Sequence, residues 1–304
     1  MDWDYRKELI LQEILLYNSD IICLQEVETV QYEEFFRDQL RMRGDYEGIF
    51  WPKSRAKTMA EWDRKHVDGC AIFYKSQRFK LEERFVIEFS QVALEKPKLR
   101  SSEDAFTRIM NRDNIAVVAR FEQRETKRPL IITNVHIHWD PSYKDAKLLQ
   151  AIMLTEELAK LESKYPRSAM IVCGDFNSLP DSGVYELMQK GSIKPNHPDF
   201  CKYTYEPYSS TGYSSNLNLE HAYVACEDLG FTNCTPFFKG IIDYIFYKPS
   251  VLTVAGLLGP IAPDYFDHAV GLPSPHFPSD HIPLLVEFRT KKNFRKGASN
   301  KSPY

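Results

Sequence analysis

The sequence predicts an α/β fold, a two-layer β-sandwich flanked by helices. Three observations carry that reading. Short β-branched runs recur through the 304 residues, at 21–24, 130–135 and 169–173 among others, and such runs read as strands buried on both faces. Stretches with helical spacing fall between the runs rather than in a block of their own. The connections are hairpin-like with helix insertions, which fits two packed sheets with helices outside better than a regular βαβ array.

Taken in order, residues 4–17 carry Leu9, Ile10, Ile14 and Leu15 at helical spacing, and Asn18-Ser19-Asp20 breaks the pattern before the first strand. A second helix is expected across 31–43, ending near Gly44. Residues 53–66 are polar and basic and read as a loop. Strands follow at 70–74 and 115–119, with a charged segment of unassigned structure between them. Residues 144–163 form the clearest amphipathic helix, with Leu148, Leu149, Ile152, Leu158 and Leu161 on its apolar side. A short helix starts at the Asp181-Ser182 cap and ends by Gly191. Residues 195–240 are rich in Tyr, Ser, Asn and Pro, and a loop of that length is expected to be functional or mobile. Strands resume at 241–247 and 283–288. No repeat or linker divides the chain, so one domain is expected over 1–290. A basic tail at 291–304, with five Lys or Arg and no acid, is expected to be disordered.

Composition narrows the function. A net charge of −3 argues against a surface-wide polyanion binder and against duplex binding driven by counterion release. It leaves room for a local groove that reads a single strand by stacking, which 17 Tyr and 19 Phe can supply. No run approaches the length of a membrane span and no signal-peptide pattern opens the chain. The six cysteines form no CxxC pair, and Cys23, Cys70 and Cys173 sit inside apolar runs. A reduced, intracellular compartment follows.

Chemistry gathers where apolar runs end. Gln25-Glu26, His136 to Asp140, Gly174-Asp175-Phe176-Asn177 and Ser279-Asp280-His281 each occupy such a place, with Asp243 as a fifth point. Taken alone, Gly174 to Asn177 is a turn; the strand before it and the capped helix after Pro180 fix both polar side chains at one edge. His136 and His138 alternate along a strand, so only one of them faces the site. A carboxylate beside an imidazole, as in Asp280-His281, is one way to hold an acid–base or phosphate-contacting histidine. If Glu26, Asp175, Asp243 and Asp280 converge, each pair at about 6 Å repels by roughly 3 kcal/mol at an effective dielectric of about 20. Proton uptake or a cation must offset that. Oxygen-rich ligands without thiolates favour Mg²⁺ or Mn²⁺ over zinc, and the set suits metal-assisted phosphodiester hydrolysis.

With these motifs in this order, the chain resembles the exonuclease–endonuclease–phosphatase superfamily, whose fold is deoxyribonuclease I-like (α/β/β/α). Within it the stretches 3–7, 52–57, 64–73 and 278–281 resemble the catalytic domain of the carbon catabolite repressor 4 type of deadenylase, and the likeness spans about 3–288. The resemblance implies a Mg²⁺-dependent 3′-to-5′ exoribonuclease that removes poly(A) tails and releases 5′-AMP, in the cytoplasm and nucleus. It implies Glu26 as the principal metal ligand and Asp175 as the residue that positions or activates water. Asn177 would orient the phosphate, and His136 and His281 would stabilise phosphoryl oxygens. Asp280 would orient His281 or bind a second metal, and Asp243 would belong to the same constellation. Pro141 and Phe238 match positions that hold an adenine base, with Asn114 also near the substrate. The resemblance further implies a strand carrying a metal-site Asn ahead of Trp3, and an upstream leucine-rich region that docks on other subunits of a deadenylase complex. Neither is in this sequence, so the domain is expected to lack its N-terminal strand. Two other functions remain open on the sequence: a nocturnin-like nucleotide phosphatase, and a non-catalytic subunit.

Overall fold

The computed structural model describes residues 2–262, 265 and 270–291. Strands β1 (Ile21–Glu28), β2 (Tyr46–Pro52) and β3 (Asp68–Lys75) form an antiparallel sheet in the order β1–β3–β2. A six-stranded sheet faces it, built from β4 (Phe79–Glu88), β5 (Ile115–Gln123), β6 (Pro129–His136), β7 (Ala169–Asp175) and β8 (Asp243–Tyr247) in the order β8–β7–β6–β5–β4. The two-residue strand Glu220–His221 completes its β8 edge. Helices α1 (Trp3–Tyr17) and α2 (Arg37–Gly44) cover the first sheet, and α3 (Lys144–Lys164) and α4 (Gly183–Lys190) lie against the second. The layers are those the sequence predicts.

Side-chain alternation along each strand builds those layers. In β3, Cys70, Ile72 and Tyr74 point inward onto Val117, Ala119, Phe121 and Ile132. Their neighbours Ala71 and Phe73 point outward onto Leu11 of α1 and Leu40 of α2. In β5 and β6 the outward set, Ala116, Val118 and Val135, packs on α3. All neighbouring strands in the larger sheet are antiparallel except β6 and β7. That parallel pair needs a crossover, and α3 supplies it.

Several elements differ from expectation. Strand β4 was hidden in a charged segment because its faces alternate between half-buried and exposed, as an edge strand's do. Residues 32–36 form a π-helical segment ahead of α2, so the helix expected at 31–43 is irregular in its first half. The loop at 53–66 holds two short helical turns, Ser54–Lys57 and Glu61–Arg64. The strand expected at 283–288 is shifted to β10 (Val286–Thr290), paired with β9 (Leu252–Leu257), which the sequence reading did not assign. Residues 195–240 are no free loop. Phe200, Tyr205, Tyr208, Leu217 and Leu219 pack into the core around α3. A buried Asp145 ties that segment down: it receives a two-pronged hydrogen bond from Arg108, at 2.6 and 2.7 Å, and the hydroxyl of Tyr205. The Arg108 guanidinium itself lies between the rings of Tyr143 and Tyr203, about 4 Å from each. Of the basic tail expected at 291–304, only Lys291 falls within the described residues.

Candidate active site

Register does most of the assembly. His136, Asp175 and Asp243 are direct partners across β6, β7 and β8, so three functional side chains stand abreast on one face at the end of one sheet. Gly174 permits this. Its φ is 140°, and a Cβ there would meet the Val135 carbonyl oxygen at 2.0 Å, so only glycine lets β6 and β7 approach that closely. The Thr232 hydroxyl accepts hydrogen bonds from the Ile242 and Asp243 amides and pins the start of β8.

Glu26 arrives from the other sheet. The ladder between β1 and β3 is irregular between Leu24 and Val27, and Glu26 has a φ of 57°. A bulge of this kind re-aims a side chain. Its carboxylate, 73% exposed, lies 3.9 Å from His136 Nε2, and Asp175 Oδ2 is 3.7 Å from the same nitrogen. Buried Asn134 sets the alignment of the two sheets: its Nδ2 donates to the Leu24 and Ala71 carbonyls and its Oδ1 accepts from Gln25 Nε2 at 2.6 Å. Asn177, at φ 46°, donates its amide to Asp175 Oδ1 and its side-chain Nδ2 to the Ile137 carbonyl.

Electrostatics divides the histidines. His281 Nδ1 lies 2.8 Å from Asp243 Oδ2. Burial would lower its pKa, but the Asp243 bond and the surrounding carboxylates raise it to about 10, so it is an imidazolium at neutral pH. His136 is driven the other way, down to about 3, by burial and then by Lys53, and stays neutral. Asp175 is pushed well above the ordinary carboxylate range by burial and by the charge of Asp243.

Two clusters each bring three ligand atoms within 4.8 Å of one another: Glu26, Asp68 and His136, and Asp175, Asp243 and His281. A buried carboxyl whose charged form is disfavoured by burial and by Asp243, beside an unpaired buried nitrogen at His136 Nδ1, is a donor set that a divalent cation relieves. The residues therefore fit a divalent metal.

Some expectations need correcting. The partner of His281 is Asp243 and not Asp280, which instead accepts from Asn233 Nδ2 at 3.2 Å. Asn114 is buried, and both ends of its amide are taken, by the His136 carbonyl and by Gln150 Nε2. It supports the His136 strand end and presents nothing to a substrate. Pro141 and Phe238 are both exposed, as a base-holding pair must be, and the side chains of Phe238 and Leu179 lie beside Gly240. His138 is buried like His136, a packed histidine beside the one at the rim.

Other residues escaped the sequence reading. Asp68 opens β3 at the same rim; it accepts from Lys53 and Arg55, each at 2.7 Å. Burial pushes the Asp68 carboxyl up, but those two cations outweigh it and hold it low. The start of an antiparallel strand lies at the same edge as its partner's end, so an acid that opens β3 reaches the rim as one that ends β1 does. Lys147 on α3 donates to the Asn177 carbonyl at 2.7 Å, and Gln150 one turn on accepts the His138 amide. Both sit on the face read as apolar packing.

The comparisons agree with this geometry. The sequence matches the Endonuclease/Exonuclease/phosphatase family over residues 1–281. It is 44% identical over 319 residues to the CCR4-Not complex 3'-5'-exoribonuclease subunit Ccr4 of Mycosarcoma maydis and 42% identical over 315 residues to that of Schizosaccharomyces pombe. The alignments cover 98% and 96% of this chain but 48% and 46% of those proteins. The chain thus spans about half the length of the curated relatives it matches. The human Nocturnin catalytic domain with bound sulfate is similar in structure, with a TM-score of 0.68 at 27% identity, over 95% of this chain and 88% of that one. With a helix-flanked sandwich, a rim of carboxylates and histidines, and a sequence match over nearly all its length, the chain belongs to the endonuclease/exonuclease/phosphatase family.

Proposed function

We propose that the protein is a Mg²⁺-dependent 3′-to-5′ exoribonuclease that shortens poly(A) tails and releases 5′-AMP, with residues 1–290 as its catalytic unit. The observation that carries the reading is the His136–Asp175–Asp243 row, with His281 bonded to Asp243 and Glu26 facing the row from the opposite sheet. The similarity to two exoribonuclease subunits at 44% and 42% identity supports the choice of RNA. Working in the cytoplasm or nucleus as part of a deadenylase complex follows from that choice.

Glu26 and Asp175 would hold the metal, with Mn²⁺ a workable substitute; a bound divalent ion would offset phosphoryl charge and acidify water. Asp175, with its raised pKa, is suited to take a proton from the attacking water. Imidazolium His281, fixed by Asp243, places positive charge beside the phosphoryl oxygens. Neutral His136 contributes hydrogen bonding only. Asn177 Nδ2 gives one N–H to Ile137 and keeps the second for the phosphate. Asp280 and Lys53 set the field at the two sides of the rim. Phe238 and Pro141 offer flat apolar faces to a base, and stacking on an aromatic face is worth about 1–3 kcal/mol.

The test is hydrolysis of A-tailed RNA, with nicotinamide dinucleotide phosphate as the competing substrate, in Mg²⁺ and in chelator. Glu26→Ala should lose at least a hundredfold in rate. Equal rates for the two proteins would remove the nuclease assignment, and turnover of the dinucleotide alone would make the protein a nucleotide phosphatase. Phe238→Ala should weaken cleavage of poly(A) roughly tenfold more than cleavage of poly(U); an equal loss on both would exclude an adenine-binding role.

A further inference from the structure

Residues 53–66 join β2 to β3 at the rim end of the smaller sheet, and both ends of the loop are pinned there. Lys53 and Arg55 bind Asp68, and Arg55 also binds Asp113. The Thr29 and Val30 amides donate to the Val67 and Lys65 carbonyls. Between these anchors one helical turn, Glu61–Arg64, carries Trp62, which is 74% exposed. Among the described residues its one ring contact is with His66, edge-on at 6.1 Å between centroids. His66 Nδ1 in turn lies 3.5 Å from a Glu28 carboxylate oxygen, and Glu28 is the register partner of Asp68. The indole is thus tied to the strand ends that carry Glu26 and Asp68.

Charge surrounds this ring. On a helical turn the residues three and four places on share its face, and here they are Lys65 and His66, both exposed. Glu61 and Asp63 lie about 100° to either side. Lys65 forms no ion pair among the described residues, whereas Lys53, Arg55 and Lys57 are each bound to a carboxylate. An open ring beside an uncommitted ammonium is the pairing that holds a single strand, with a base on the ring and a phosphate on the cation. The buried centre of a protein–protein contact is depleted of charge, yet Trp62 is flanked by Glu61, Asp63, Arg64 and Lys65, all exposed.

Position fixes which part of a strand Trp62 takes. Pro141 follows β6 and Phe238 precedes β8, so both belong to the larger sheet's side of the cleft. Trp62 belongs to the smaller sheet's side. A phosphodiester joins two nucleosides; with the terminal one held by the larger sheet, the rest of the chain leaves across the phosphate, toward the smaller. We propose that Trp62 and Lys65 form a second nucleotide subsite, which stacks a base upstream of the scissile phosphate and neutralises one upstream phosphate. It rests on the exoribonuclease reading and adds to it a preference for substrates several nucleotides long.

The probes are oligoriboadenylates, a dinucleotide and an octanucleotide, titrated against the whole chain by calorimetry in chelator, where binding is read without cleavage. Trp62→Ala should weaken binding of the octanucleotide about tenfold and of the dinucleotide by less than about twofold. Trp62→Phe, which keeps a flat ring, should recover most of the loss. Lys65→Gln should make the slope of log K against log salt for the octanucleotide shallower by about 0.7, the share of one phosphate contact on a single strand. Equal losses on both lengths would overturn the proposal. So would an octanucleotide affinity and salt slope that neither substitution changes, which would leave the turn as a contact for another protein. A wild-type chain that binds neither oligomer would defeat the exoribonuclease reading as well; wild-type binding indifferent to Trp62 removes the subsite alone.

Discussion

Lys147 shows how a residue outside the reacting groups can control them. Its side chain is buried against the site, and burial lowers its pKa to about 8 against the pull of Asp175, so it is still largely protonated at neutral pH. A buried ammonium is tolerated only with partners, and this one donates to the Asn177 carbonyl. Asn177 is a non-glycine residue at positive φ, a conformation that surrounding contacts must hold. Lys147→Met should therefore free that turn and lower kcat by about 10- to 100-fold through misplacement of Asn177, with KM little changed. Lys147→Arg should restore part of the rate. A Met variant with unchanged kcat and an unchanged melting curve would show that the lysine only fills space. The same scale explains the two histidines. Neither His136 nor His281 differs from the other in sequence character, and it is Asp243 that makes one of them a cation.

Elements turn these residue properties into a site through register. A one-residue slip in a strand moves every side chain to the opposite face, so the alignment His136–Asp175–Asp243 depends on how closely β6 and β7 are locked together. Gly174 is the lock. Gly174→Ala would place a methyl group 2.0 Å from a backbone oxygen at a φ that L-residues rarely adopt, and neither atom can yield cheaply. We expect a loss of about 3 kcal/mol or more, read as a lower urea midpoint, with activity falling further than stability because the row is displaced. An unchanged midpoint would mean that the strands can part without cost. The short bulge at Glu26 and the Asn134 bonds between the sheets act in the same way on the opposing side of the cleft. Helix α3 joins the two ends: its face carries Lys147 to the Asn177 turn and Gln150 to the His138 amide.

At the scale of the whole molecule, the buried histidines set the response to acid. His138 and His221 have pKa values near 4, lowered by burial, against about 6.5 in an unfolded chain. Below pH 6.5 the unfolded state takes up protons first, so the stability present at neutral pH declines as pH falls from about 6.5 to 4. For His221, almost fully buried among Tyr185, Tyr244 and Phe246, that amounts to about 3 kcal/mol. His221→Phe should flatten the dependence over this window. Urea midpoints at pH 7 and pH 4.5 check it, and equal drops in the two proteins would assign the acid sensitivity elsewhere.

The sequence by itself determined the layers and the location of most of the rim. Apolar runs at 21–24, 130–135 and 169–173 are long and unambiguous, and polar residues at their ends must lie at a sheet edge whatever else the chain does. Strand β4 and the covering role of 195–240 were not legible, because a half-exposed edge strand and a tyrosine-rich wrap carry no periodic apolar signal. Which carboxylate meets which histidine was decided only by the tertiary structure. Pairing across strands depends on register and on the choice of sheet neighbours, and those follow from close packing of residues far apart in the chain. Asp243 beside His281, Asp280 turned to Asn233, Asn114 withdrawn from the surface and Asp68 brought to the rim all have that one cause. Local sequence places a side chain at an edge; the fold decides what stands opposite.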